Sequence, residues 1–169
     1  MKKTFTSIAL GLAALSAGAT TPLWMRDVQI SPDGSQIVFS YKGDIYKVEA
    51  NGGQAVRLTT QDSYESSPVW SPDGKLIAFA SDRHGNADIF VMPAEGGPAT
   101  RLTRHSASEK PWTFSNDGTK VLFSASIQDP AKSALFPTSA MTELYSVALD
   151  GGKVEQVLGT PAEMVNFNK

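Results

Sequence analysis

The sequence predicts an all-β fold: a β-propeller of about three consecutive four-stranded antiparallel blades, part of an incomplete, truncated ring. Two observations carry this. Four short markers recur in one order along the chain. The strands between them are apolar on both faces, as a sheet wedged between two neighbouring sheets must be.

Composition bounds the rest. The chain has 169 residues, 41% of them hydrophobic, enough for one modest domain with a core. Its formal net charge is −2, so the basic footprint of a nucleic-acid binder is absent and no such partner is expected. Without cysteine there are no disulfides, thiolate nucleophiles or cysteine-ligated metals. The two histidines, His84 and His105, stand in no ligand-spaced cluster, and neither a metal nor a cofactor is expected.

Residues 1–19 read as a secretory signal. Lys2 and Lys3 form the positive start, Ile8 to Leu15 the apolar run, and Ala17-Gly18-Ala19 the small-residue cleavage site. The apolar run is too short to cross roughly 30 Å of hydrocarbon. No cysteine follows it to carry a lipid. The mature chain, with 13 basic against 17 acidic side chains, is expected to be exported, periplasmic or secreted from a bacterium, with no membrane span.

The first marker is Ser31-Pro32-Asp33-Gly34, repeated as Ser71-Pro72-Asp73-Gly74 and Ser115-Asn116-Asp117-Gly118. Proline presets φ for the first corner of a tight turn, aspartate bonds nearby N–H groups, and glycine takes the positive φ. The second marker is Asp44-Ile45-Tyr46, Asp88-Ile89-Phe90 and Glu143-Leu144-Tyr145. A double glycine follows at Gly52-Gly53, Gly96-Gly97 and Gly151-Gly152, and reads as another hairpin turn. Arg57-Leu58-Thr59 recurs as Arg101-Leu102-Thr103 and, more weakly, as Gln156-Val157-Leu158.

Between these turns lie strands. Gln36 to Tyr41, Leu76 to Ser81 and Lys120 to Ser126 form one set; Ile45 to Glu49, Asp88 to Pro93 and Glu143 to Leu149 form the next. The Arg-Leu-Thr segments mark a third set. Val69-Trp70, Thr113-Phe114 and Asn166-Phe167 mark the strand before each first-marker turn. Blade 1 then covers about 26–59, blade 2 about 67–103, blade 3 about 110–158, and a fourth blade starts at about 164–169, so 20–169 is a partial propeller domain. A β-sandwich is the competing fold, but it has no need of the same turn chemistry in repeated order.

The string from Trp70 to Thr103, Trp-Ser-Pro-Asp-Gly through Asp-Ile-Phe-Val-Met to Gly-Gly and Arg-Leu-Thr, resembles the bacterial propeller repeat of TolB-like proteins. It also resembles the N-terminal propellers of tricorn-type and prolyl-oligopeptidase-type serine peptidases. The opening Thr21-Pro22-Leu23-Trp24-Met25-Arg26, running from the signal straight into blade 1, is similar to secreted tricorn-protease homologues. That resemblance implies a gating, substrate-guiding or protein-interaction module, with the serine nucleophile in later domains. The alternatives it leaves are a non-enzymatic TolB-like binding propeller and the propeller of a prolyl-oligopeptidase-type peptidase. The partners it implies are the missing C-terminal domains of the parent chain and peptide or protein ligands.

No catalytic residue is expected within this chain. There is no Gly-x-Ser-x-Gly elbow, and Ser31, Ser71 and Ser115 are explained by turns. Asp82 to Asp88 is only faintly like a calcium loop and reads as a polar hairpin tip. Trp70 falls on a repeated aromatic position and is expected in the core, whereas Trp24 and Trp112 are less constrained.

Topology assigns recognition to one face. The first-marker and double-glycine turns share one end of the blades and are short. The opposite end carries the long connections, Thr60 to Ser66, Asp82 to Ala87, Arg104 to Glu109 and Ile127 to Thr142. The last is an insertion with an apolar trio, Leu135-Phe136-Pro137. Candidate recognition residues on this face are Arg83, His84, His105, Leu135 and Phe136.

Overall fold

The structure is a computed structural model that describes residues 24–127 and 142–158. The expected signal, the Leu135–Phe136 tip and the start of a fourth blade lie outside the described residues.

Twelve strands form three four-stranded antiparallel sheets. Sheet one holds β1 (Met25–Ile30), β2 (Gln36–Tyr41), β3 (Asp44–Glu49) and β4 (Val56–Arg57) in chain order. Sheet two holds β5 (Glu65–Trp70), β6 (Leu76–Ser81), β7 (Asp88–Pro93) and β8 (Thr100–Arg101). Sheet three holds β9 (Glu109–Phe114), β10 (Lys120–Ala125), β11 (Glu143–Ala148) and β12 (Glu155–Leu158). No helix occurs among the described residues. These are three consecutive propeller blades, and of their first strands β1 packs against β5 and β5 against β9.

The first-marker turns close by one repeated pattern. The Ser71 hydroxyl donates to Asp73 at 2.7 Å and accepts the Leu76 N–H at 2.9 Å, and the Lys75 N–H reaches Asp73 at 3.1 Å. Ser31 with Asp33 and Ser115 with Asp117 repeat it. Gly74 and Gly118 each take φ of 70°, a region that a Cβ disfavours.

Blade 2 shows why its strands are apolar throughout. Ile77, Phe79, Phe90 and Met92 pack with Trp70 and with Val38 and Ile45 of blade 1. Their alternates Ala78, Ile89 and Val91, with Leu102, pack with Phe114, Val121, Phe123, Tyr145 and Val147 of blade 3. Successive side chains leave a strand on opposite faces, so each strand of blade 2 serves both neighbours. Complete burial of Phe79, stacked 5.9 Å from Phe90, contributes about 1.5–3 kcal/mol before entropy is counted. Blade 1 has a described neighbour on one side only, and every residue of β1 is exposed.

The first strand of each blade carries a β-bulge. In blades 1 and 2 it places Asp27 and Ser67 at φ of 50° and 52°. The Asp27 carboxylate accepts the Ser40 hydroxyl at 2.8 Å and the Ser67 N–H at 3.1 Å, which ties blade 1 to blade 2 through the bulges.

Candidate recognition face

Among the described residues, the long-loop face is built by the β2–β3 and β6–β7 connections and by the crossovers between blades. Crossovers dock through a repeated backbone bond. The Glu65 N–H donates to the Gly43 carbonyl at 2.7 Å, and the Glu109 N–H to the Ala87 carbonyl at 2.8 Å. Glu65, Ser66 and Glu109, assigned to loops by sequence, are therefore strand residues. Glu65 and Glu109 are buried at 0% and 2% exposure.

Below each crossover sits a polar cluster. In blade 2 the Thr103 hydroxyl accepts the Ile89 N–H at 2.9 Å and donates to Glu109, while Arg101 pairs with buried Asp88 at 2.7 Å. Burial pushes Glu109 up to about 7, helped by the charge on Asp88 and opposed by Thr103 and Arg101. Burial also raises Asp88, against the pull of Arg101. In blade 1 the same places hold Thr59 under Ile45 at 2.9 Å and Arg57 beside Asp44 at 2.7 Å. In blade 3 the ion pair becomes a neutral–charged contact, Gln156 to Glu143 at 2.9 Å.

The predicted site residues divide. Arg83 is drawn inward: its guanidinium meets Glu65 at 3.0 Å, donates to Ser81 at 2.9 Å and lies 4.4 Å from the Phe90 ring centre. His84 is exposed and stacks on Phe90 with centroids 6.0 Å apart. His105 sits on the next crossover, where its Nδ1 accepts the Ala107 N–H at 3.1 Å. Asn86 joins the two segments by donating to the His105 and Ala107 carbonyls, both at 2.9 Å. So the β6–β7 loop carrying Arg83 and His84 and the crossover carrying His105 form one connected rim.

Sequence reasoning passed over Glu65, Asn86, Thr103 and Glu109. A signal existed for three of them: Glu65 and Glu109, and Thr103 with Thr59, stand at the offset that relates Asp44 to Asp88. Of the tryptophans, Trp70 is in the core at 9% exposure, Trp24 is 60% exposed, and Trp112 bonds Ser124 at 2.8 Å. The two acids of the faintly calcium-like stretch are drawn apart, Asp82 capping the Tyr64 N–H at 2.8 Å and Asp88 pairing with Arg101. Neither imidazole is hydrogen-bonded to a serine hydroxyl among the described residues.

The profile described as the tricorn protease N-terminal beta propeller domain matches residues 22–169. The chain belongs to this family. This tricorn-type propeller is similar to proteins of two kinds. It is 34% identical over 73 residues to the uncharacterized peptidase YuxL of Bacillus subtilis, a match covering 37% of this chain and 11% of that protein. It is 42% identical over 64 residues to the Tol-Pal system protein TolB of Francisella tularensis, covering 36% of this chain and 13% of that one. The structure of putative TolB from Agrobacterium tumefaciens superposes with a TM-score of 0.67 at 28% identity, covering 82% of this chain and 50% of that one. These matches span well under a quarter of the two curated relatives' own length.

Proposed function

We propose that this tricorn-type propeller is the exported recognition module of a serine peptidase, guiding protein or peptide substrates across its long-loop face. Hydrolysis belongs to other domains of the parent protein. The observation that carries this reading is the family match over residues 22–169, joined to a rim that carries exposed His84 and, on the crossover, exposed Arg104. The peptidase relative in Bacillus subtilis supports it. The signal-like residues 1–19 and the TolB relatives support export. Leu135 and Phe136, outside the described residues, would add an apolar contact for a neighbouring domain or ligand.

In the test, the full-length gene product is compared with one lacking this propeller. Turnover of long peptides should fall while that of short fluorogenic substrates is kept, and the propeller alone should hydrolyse neither. Unchanged turnover of long peptides, or hydrolysis by the propeller alone, overturns the reading.

A second reading, a non-enzymatic TolB-like binding propeller, is favoured by the 42% identity to the Francisella protein and the Agrobacterium superposition. The coding sequence past Lys169 separates the two. A downstream domain with a nucleophilic serine favours the peptidase, and a stop after propeller closure favours the binding protein.

A further inference from the structure

The blade 1–blade 2 junction opens on the recognition face as a cleft of about 300 Å³. Trp24, Arg26, Ser40, Tyr41, Lys42 and Gly43 of blade 1 line it, and Tyr64 closes it from the crossover. Arg26 pairs with Ser40 across β1 and β2, and Ser40 shares the strand face of Val38, which packs on blade 2. Tyr41, the alternate of Ser40, lies on the other face of the strand with Phe39 and Tyr46, so the cleft wraps the β2–β3 end of blade 1 and meets the blade 2 side through Arg26, Ser40 and Tyr64.

The loop lengths explain why it exists. Blade 2 spends Asp82 to Ala87 on its β6–β7 connection, and Asn86 reaches the crossover to close that junction. Blade 1 spends only Lys42 and Gly43, and Lys42, matched to Asn86, makes no hydrogen bond to the crossover among the described residues. Its ammonium instead lies 5.4 Å from the Tyr41 ring centre. Lys42 and Gly43 both have positive φ, 52° and 89°, the pattern of a type I′ turn. Such a turn favours Asn-Gly or Asp-Gly, and a lysine in the first place is strained. Arg26 is likewise exposed, and no acidic side chain pairs with either cation among the described residues.

We propose that this cleft binds an internal acidic segment of a peptide or protein. A side-chain carboxylate sits between Arg26 and Lys42, and an adjoining aromatic residue stacks among Trp24, Tyr41 and Tyr64. Two unpaired cations match one carboxylate, and the three aromatic walls supply a stacking surface. The volume suits a small ligand unit and not a folded domain. This proposal rests on the recognition reading above and names the ligand class for that face.

The test titrates labelled acetyl-Gly-Glu-Tyr-Gly-amide into the full chain by fluorescence anisotropy. Saturable binding is expected, weakened about tenfold or more in Arg26→Gln and in Lys42→Asn, and in a probe with glutamine for glutamate. Lys42→Asn should at the same time raise the melting temperature, since asparagine suits the turn, so lost affinity is not lost fold. Binding unaffected by both variants but lost in His84→Ala/His105→Ala overturns the cleft and leaves the recognition face standing. Binding only by a glutamate-free peptide with a free C-terminus overturns the side-chain carboxylate. No binding up to about 1 mM overturns the cleft proposal, while the turnover comparison still decides the peptidase reading.

Discussion

Thr103 stands directly between Ile89 and the buried carboxyl of Glu109, accepting the Ile89 N–H at 2.9 Å and donating its hydroxyl to Glu109. One hydroxyl therefore links the β7 backbone to the first residue of the next blade. The other Glu109 oxygen has no partner within the described fold, which is why burial of the charged form is costly.

The first prediction follows from that carboxyl. Its folded pKa, about 7, lies above the ordinary 4.5. Between those values the unfolded chain has released a proton that the folded chain keeps, so stability falls as pH rises from about 4.5 to 7. The loss amounts to at most about 3 kcal/mol. Glu109→Gln removes this slope. Urea melts of both proteins at pH 5 and pH 8 check it: the variant should gain relative to the parent at pH 8. Parallel pH profiles would contradict it.

Arg83 neutralises Glu65 where no water reaches it. Arg83→Ala should cost about 3 kcal/mol, because it leaves a buried charge uncompensated. Glu65→Gln in the same chain should restore much of that loss. A double-mutant cycle from denaturant midpoints measures the coupling, and simple additivity would show that the pair is not coupled.

Gly43 has φ of 89°, and a Cβ there would lie 3.3 Å from Cδ2 of Tyr64. Gly43→Ala should cost about 1–2 kcal/mol in backbone strain and push the Tyr64 ring aside. Gly52→Ala, at φ of 97° with nothing within 4 Å, carries the backbone strain alone. Thermal melts should therefore rank Gly43→Ala as the more damaging change.

Asp117 takes hydrogen bonds from the Ser115 hydroxyl first and then from Thr119, which hold its carboxyl at about 2. The stability it contributes is present above the ordinary 3.8 and disappears as pH falls towards about 2. Asp117→Ala should lower the melting temperature at pH 6 and make no difference near pH 2. A deficit that persists at pH 2 would place the effect elsewhere than in the charged turn.

The blades were legible because their signals are local. Ser71, Asp73 and Leu76 bond within five residues of one another, so the motif that names the turn also makes it. Strand spans Gln36–Tyr41, Leu76–Ser81 and Asp88–Pro93 likewise follow from β-branched and aromatic runs between such turns. The recognition rim was legible only as a side of the fold. Arg83 and His84 were identified there by topology, but nothing in their own neighbourhood shows that one turns inward to Glu65 and the other stacks outward on Phe90.

By itself the sequence determined the repeat, the turn chemistry and the antiparallel order of four strands per blade, because each depends on residues close in the chain. Only the tertiary structure decided that Glu65 and Glu109 are buried strand ends, that Asp27 reaches Ser67, and that Trp24, Lys42 and Tyr64 share a cleft. Those contacts join residues from different strands or different blades. A strand's alternation assigns a side chain to one of two faces, but the packing of one blade on the next decides which atoms it meets there.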